Sequence, residues 1–176
     1  MKLKISTVIF LLLTAVFSVR YNCTSNKVLL PFAITFGTIA YHLTMRLLVG
    51  LIFNLTMSNK ANYMKSWYQV SQWEISLYGK LKVKKWKGRM PTYKASLFDP
   101  KKHTWEEIIQ AMCQAELVHE TIVVLSFLPI LAGICFGEFP VFIITSLGAA
   151  MVDMSFVIVQ RYNRQRVMLL INRTEK

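Results

Sequence analysis

Six ionisable side chains stand within or at the ends of apolar runs: His42, Arg46, Glu116, His119, Glu120 and Asp153. An ionisable group in a bilayer is costly unless it is paired or reaches water, so each of the six needs a reason to be there. Glu116 precedes His119 by three residues, which places both on one helical face. A carboxylate at that spacing fixes the imidazole tautomer and raises its basicity, so the pattern predicts His119 as a general base with Glu116 as its partner. The plainer alternative is a histidine satisfied at a helix end. His42 and Arg46 are four residues apart and share a face. Arg46 is expected to pair with Asp153 or Glu120, either as a structural tie or as part of a polar cleft.

A second cluster is Gln160-Arg161-Tyr162-Asn163-Arg164-Gln165-Arg166. A basic flank to a span needs only the arginines and leaves Tyr162 and Asn163 without a purpose. Arg161 and Arg164 present planar forks suited to a phosphate or a carboxylate. Asn163 can donate a hydrogen bond to a developing oxyanion.

Several chemistries are excluded. A di-iron site needs two Glu-x-x-His motifs plus further carboxylates, and only Glu116-x-x-His119 is present. Val123 stands where a zinc protease beginning His119-Glu120 needs its second histidine. There is no Gly-x-Ser-x-Gly elbow, no P-loop and no dinucleotide fingerprint, and Ile108 breaks a His-x4-Asp pattern from His103. Cys23, Cys113 and Cys135 are widely separated, which supports neither a disulfide framework nor a zinc knuckle. No metal and no cofactor is called for.

The elements that must position these groups are apolar. Of 176 residues 54% are hydrophobic and 17% charged, with a net charge of +12, and the mean hydropathy is +0.40. A soluble domain carries about a quarter charged residues, so the fold class expected is an all-α integral membrane protein. Four spans are predicted, at 5–19, 28–57, 117–136 and 139–159. The first also fits a signal-peptide core, although no small-x-small cleavage site follows it. Pro31 sits in the first turn of the second run, Pro129 predicts a kink in the third, and Gly137-Glu138 makes a short turn to the fourth. Gly148-Ala149-Ala150 gives the fourth a small packing face.

Of the 21 basic residues, 18 lie before the first run, between the second and third, or after the fourth. That asymmetry predicts a multi-pass protein of the cell membrane with both termini cytoplasmic, a cytosolic section over 58–116 and a basic tail over 160–176. It also explains the positive charge without a nucleic-acid partner. In the 58–116 section Trp67, Tyr68, Trp73, Tyr78 and Trp86 alternate with lysines, as suits the headgroup layer. Thr104 and Glu107 form a capping-box pattern for a helix running through Cys113 into the third span.

Three segments together resemble one family. They are Leu81-Lys82-Val83-Lys84-Lys85-Trp86-Lys87 with Pro91, Ala115-Glu116-Leu117-Val118-His119 with Leu128-Pro129, and Gln160-Arg161-Tyr162-Asn163-Arg164-x-Arg166. Their order and spacing are similar to those of the glycosyl-4,4′-diaponeurosporenoate acyltransferases, small bacterial membrane proteins that esterify a carotenoid glycoside with a fatty acyl chain. Glu120 and Gln165 stand where members often carry Trp and Pro. The resemblance implies acyl transfer to a hydroxyl of a lipid-linked or glycosylated isoprenoid. It carries over Trp86, Glu116, His119, Arg161, Asn163 and Arg164. The roles expected are His119 as base, Glu116 as its orienting carboxylate and Asn163 at the oxyanion. Arg161, Arg164 and Tyr162, with Trp86, His42 and Arg46, are expected at the substrates. The partners implied are a membrane lipid or glycolipid acceptor and an acyl-CoA or acyl-carrier-protein donor. The competing class is a non-enzymatic membrane subunit or lipid-binding adaptor.

Overall fold

Helices account for every regular element in the computed structural model, which describes residues 2–92 and 95–174 and has no strand among them. Lys94 and Lys176, counted above among the cytosolic basic residues, lie outside the described residues. The helices are α1 (Lys2–Thr24), α2 (Leu29–Thr56), α3 (Gln72–Lys80), α4 (Val83–Trp86), α5 (Trp105–Leu125), α6 (Pro129–Phe136) and α7 (Phe139–Thr174), with short 3-10 turns between α2 and α5. Four stretches are long and apolar enough to cross a membrane: Leu3–Thr24, Leu29–Thr56, Trp105–Phe136 and Phe139–Ile171. Each of the first, third and fourth extends beyond its apolar run. The helical hydrogen-bond ladder does not stop where the hydrophobicity does, and α7 continues past Val159 for about four turns. Large apolar side chains such as Leu12, Leu55, Ile144 and Met151 are exposed along α1, α2 and α7. In water they would form an adhesive surface, whereas in a bilayer they meet lipid.

The chain forms two compact units, one of Met1–Leu51 with Thr121–Asp153, the other of Ile52–Glu120 with Met154–Lys176. In the first, α1 packs on α2 through Phe17, whose ring centroid lies 5.6 Å from Phe32 and 5.1 Å from Phe36. Pro129 has no N–H, so the carbonyl four residues earlier, Leu125, loses its helical donor. The Leu128 N–H (3.2 Å) and the Tyr41 hydroxyl (2.9 Å) donate to it instead. The kink predicted at Pro129 is thus a break between α5 and α6, tied to α2 by Tyr41. Gly137 and Glu138 turn the chain into α7 with φ of +70° and +46°. The left-handed region admits glycine without strain, so Gly137 is the residue that permits so short a turn.

In the second unit, Thr104 and Glu107 close the capping box. The Glu107 N–H donates to Thr104 Oγ1 (3.2 Å) and the Thr104 N–H to Glu107 Oε2 (2.9 Å). The helix started there carries Ile109 and Cys113 into a core with Tyr68, covered by Leu117, Val167 and Met168. A second core joins Tyr78, Val83 and Val159 beneath Trp86 and Tyr162. These two clusters hold the 3-10 turn Ser66–Tyr68, α3 and α4 against α5 and the last turns of α7.

Candidate functional site

Arg161 and Arg164 are three residues apart on α7 and so share one face of the helix. Glu116 on α5 receives both: Arg161 Nη1 donates to Oε1 (2.5 Å) and Arg164 Nη1 to Oε2. Arg161 also donates from Nε to Glu74 Oε1 (2.8 Å) and from Nη2 to Glu74 Oε2 (3.2 Å). Its remaining bonds go to the Trp67 carbonyl (3.0 Å) and the Gln69 carbonyl (3.1 Å). A guanidinium has five N–H donors, and Arg161 makes five hydrogen bonds. Arg164, with no exposed surface, donates its other bond to the Tyr68 carbonyl (2.6 Å) and lies 5.3 Å from the Tyr68 ring. Three successive carbonyls at the end of a 3-10 turn, which have no partner within the turn, are therefore taken by two arginines.

Two arginines against Glu74 and Glu116 leave this cluster neutral. Glu74 is held in place locally, because Ser71 starts α3 and donates to Glu74 Oε2 from its N–H (2.8 Å) and from its hydroxyl (2.9 Å). Burial pushes the Glu74 carboxyl up, but the Arg161 and Ser71 bonds outweigh it and hold it at about 2. Tyr78 donates to Glu74 Oε1 (3.1 Å), and burial, then the Glu74 charge, pushes its phenol up to about 12.

Beside the neutral cluster lies a cationic one. Tyr162 presents its ring to Lys87 Nζ (5.0 Å) and to the Arg166 guanidinium (5.8 Å), with Tyr78 edge-on at 6.2 Å. Lys87 Nζ donates to Asn163 Oδ1 (2.5 Å). Burial, followed by the positive charges of Arg166 and Lys84, lowers the Lys87 pKa. No carboxylate contributes to that balance.

His119 is half-buried and stacks on Phe156, with centroids 4.6 Å apart and ring planes 10° from parallel. Glu120 accepts from Trp67 Nε1 (3.0 Å) and Trp86 Nε1 donates to the Leu81 carbonyl (3.0 Å). In the first unit, Arg46 pairs with Asp153 through Nε at 3.1 Å and also through Nη2, one of the two partners expected from the sequence. His42 lies one turn from Arg46 on the wall of a cavity of about 250 Å³. Among the described residues no three metal-ligating side chains converge.

The structure brings Glu116, Arg161 and Arg164 together, and sets Tyr162 and Asn163 against Lys87. The expectation that Arg161 and Arg164 take an anionic substrate meets two guanidiniums already bonded to protein oxygens. Glu116, expected to orient His119, uses both carboxylate oxygens on those arginines. Glu74, Lys87 and Arg166 escaped the sequence reading as site residues. Ser71-x-x-Glu74 carries a capping-box spacing that marks Glu74 as fixed, but nothing in the spacing indicates Arg161.

The fold and this site define a helical membrane protein with four helices suited to span a bilayer and a buried ionic cluster joining α5, α7 and the segment before α3. The chain belongs to the glycosyl-4,4′-diaponeurosporenoate acyltransferase family, whose sequence model matches residues 64–173. That range takes in the whole ionic cluster and excludes α1 and α2. No curated protein and no solved structure matches the chain.

Proposed function

We propose that the protein transfers a fatty acyl group to a hydroxyl of a lipid-linked or glycosylated isoprenoid, a carotenoid glycoside-like acceptor. The observation that carries this reading is membership of the acyltransferase family over the residues that include His119 and the cluster. His119, its ring plane fixed against Phe156, takes the proton of the acceptor hydroxyl as the oxygen attacks the acyl carbon of a thioester donor, acyl-CoA or acyl-carrier protein. The C–O bond forms, the C–S bond breaks, and the imidazolium returns the proton to the departing thiolate. Because Asn163 Oδ1 accepts from Lys87, its NH₂ is the end left to donate to the oxyanion.

The donor's anionic part is met by Lys87 and Arg166, both held close to the Tyr162 ring. Among the described residues neither pairs with a carboxylate, whereas Arg161 is saturated by protein acceptors. Glu74, Glu116, Arg161 and Arg164 then act as the frame that fixes α7. The basic asymmetry of the sequence puts 58–116 and the tail on the cytosolic side, where a water-soluble donor arrives.

The test is esterification by the purified protein in nanodiscs, given acyl-CoA and a glycosylated isoprenoid alcohol, with products read by lipid mass spectrometry. Ester formed by this chain alone supports the reading. A co-purified lipid with no turnover favours a non-enzymatic lipid-binding subunit, a second reading that draws on the full engagement of Glu116 by arginines.

A further inference from the structure

The cavity of about 250 Å³ in the first unit is lined by Ile39, His42 and Arg46 of α2 and by Ile144, Thr145 and Gly148 of α7. His42 is 5% exposed, and neither ring nitrogen has a hydrogen-bond partner among the described residues. A neutral imidazole carries one N–H donor and one acceptor nitrogen, and leaving either unpaired away from water is costly. The other polar groups on the wall are already engaged. Arg46 is bound to Asp153, and the Thr145 hydroxyl donates to the carbonyls of Val141 (2.8 Å) and Phe142 (3.1 Å).

We propose that this cavity binds the hydroxyl end of a single-chain lipid alcohol, of the isoprenol or fatty-alcohol class, with His42 as its hydrogen-bonding partner. The hydroxyl donates to the bare ring nitrogen of His42, the acceptor of the neutral imidazole. An ether or ester oxygen accepts only, and so leaves that nitrogen orphaned. A phosphate or carboxylate head is disfavoured because the Arg46–Asp153 pair and a neutral His42 sum to no charge. Ligand pockets for small molecules run from ~300 Å³ upward, so this space takes a polar end with a short length of chain, not an entire carotenoid glycoside. The remaining lining is apolar, and Gly148 keeps the wall open. A Cβ built there meets nothing within 4 Å. The proposal does not depend on the acyl-transfer reading.

The experiment is nitrogen NMR of the full chain in nanodiscs with ¹⁵N-labelled histidine. The three histidines are His42, His103 and His119, and His42→Phe assigns the His42 signals. The probes are 1-dodecanol, its methyl ether and dodecyl phosphate. Dodecanol should shift the bare His42 ring nitrogen saturably. The ether should bind about tenfold more weakly, the cost of one unpaired nitrogen, and the phosphate should leave the signals unmoved. Gly148→Leu, which adds a side chain to the cavity wall and leaves residue 42 unchanged, should abolish the dodecanol shift. Three outcomes overturn the proposal: no saturable shift with dodecanol, which leaves solvent as the imidazole's partner; equal shifts with ether and alcohol; or an undiminished shift in folded Gly148→Leu protein.

Discussion

Arg164 and Glu116 form a salt bridge in which both side chains are fully buried, although 48 residues separate them in the sequence. With Arg161 on the other carboxylate oxygen, the pair locks α7 to α5, and the carbonyls of Trp67, Tyr68 and Gln69 extend the lock to the chain before α3. Removing one member of a buried ion pair leaves its partner's charge uncompensated and costs about 3–5 kcal/mol. Glu116→Gln should therefore lower the thermal midpoint of the detergent-solubilised protein sharply. A wild-type melting curve for Glu116→Gln would remove the structural role given to this cluster.

Arg46 and Asp153 make the corresponding tie in the first unit. Arg46→Leu should destabilise the protein, because it takes the guanidinium away from a carboxylate that is 1% exposed. Adding Asp153→Asn should recover part of the loss, since the buried negative charge is removed along with the positive one. The double variant's melting temperature relative to the single one is the measurement, and additive losses would contradict the pairing.

Glu74 gives the protein a predictable acid response. Its folded pKa of about 2 lies below the ordinary 4.5. A depressed carboxyl pKa means that the unfolded chain binds the proton more readily. The stability Glu74 confers is thus fully present above pH 4.5 and is lost as pH falls from there toward 2. Glu74→Gln should melt lower than wild type at neutral pH, and the gap should close through that window. A gap independent of pH would mean that Glu74 is not ionised on Arg161.

For the proposed chemistry, His119→Ala should lower acyl transfer by about 100- to 10,000-fold, the usual worth of a positioned general base. Phe156→Ala should cost less, because it frees the ring plane and leaves the base in place. Wild-type turnover in folded His119→Ala protein would remove the general-base mechanism.

Lys87→Ala and Arg166→Ala should act on donor binding. Each should raise the KM for acyl-CoA about tenfold, in line with the loss of a charged hydrogen bond, with little change in kcat. A fall in kcat at constant KM would move these residues from binding to the chemical step.

The proposed topology is checked with an impermeant thiol reagent. Native Cys113 has no exposed surface and serves as a silent background, while Cys23 and Cys135 are exposed and are replaced by serine. Lys101→Cys in that background should label only after permeabilisation of the cells. Labelling in intact cells would reverse the orientation.

The sequence by itself determined the class of fold. Long apolar runs, a basic excess on alternate connections and the Thr104–Glu107 cap are local signals, and the helices follow them because backbone hydrogen bonding in a bilayer leaves few other solutions. The Arg46–Asp153 tie was legible for a related reason: an isolated guanidinium in an apolar run must find one of very few carboxylates. The partners of Glu116 were not legible. Its spacing to His119 is a local fact, but Arg161 and Arg164 reach it only once α5 and α7 pack together. Glu74 joins them only because the chain between α2 and α3 folds its turn carbonyls onto the same guanidiniums. A charged side chain near an apolar run has several partners within reach of its chemistry, and only the tertiary structure decides which comes within hydrogen-bonding distance. That decision separated the arginines of the neutral cluster, bonded to carboxylates and carbonyls of the protein, from Lys87 and Arg166, which pair with no carboxylate among the described residues.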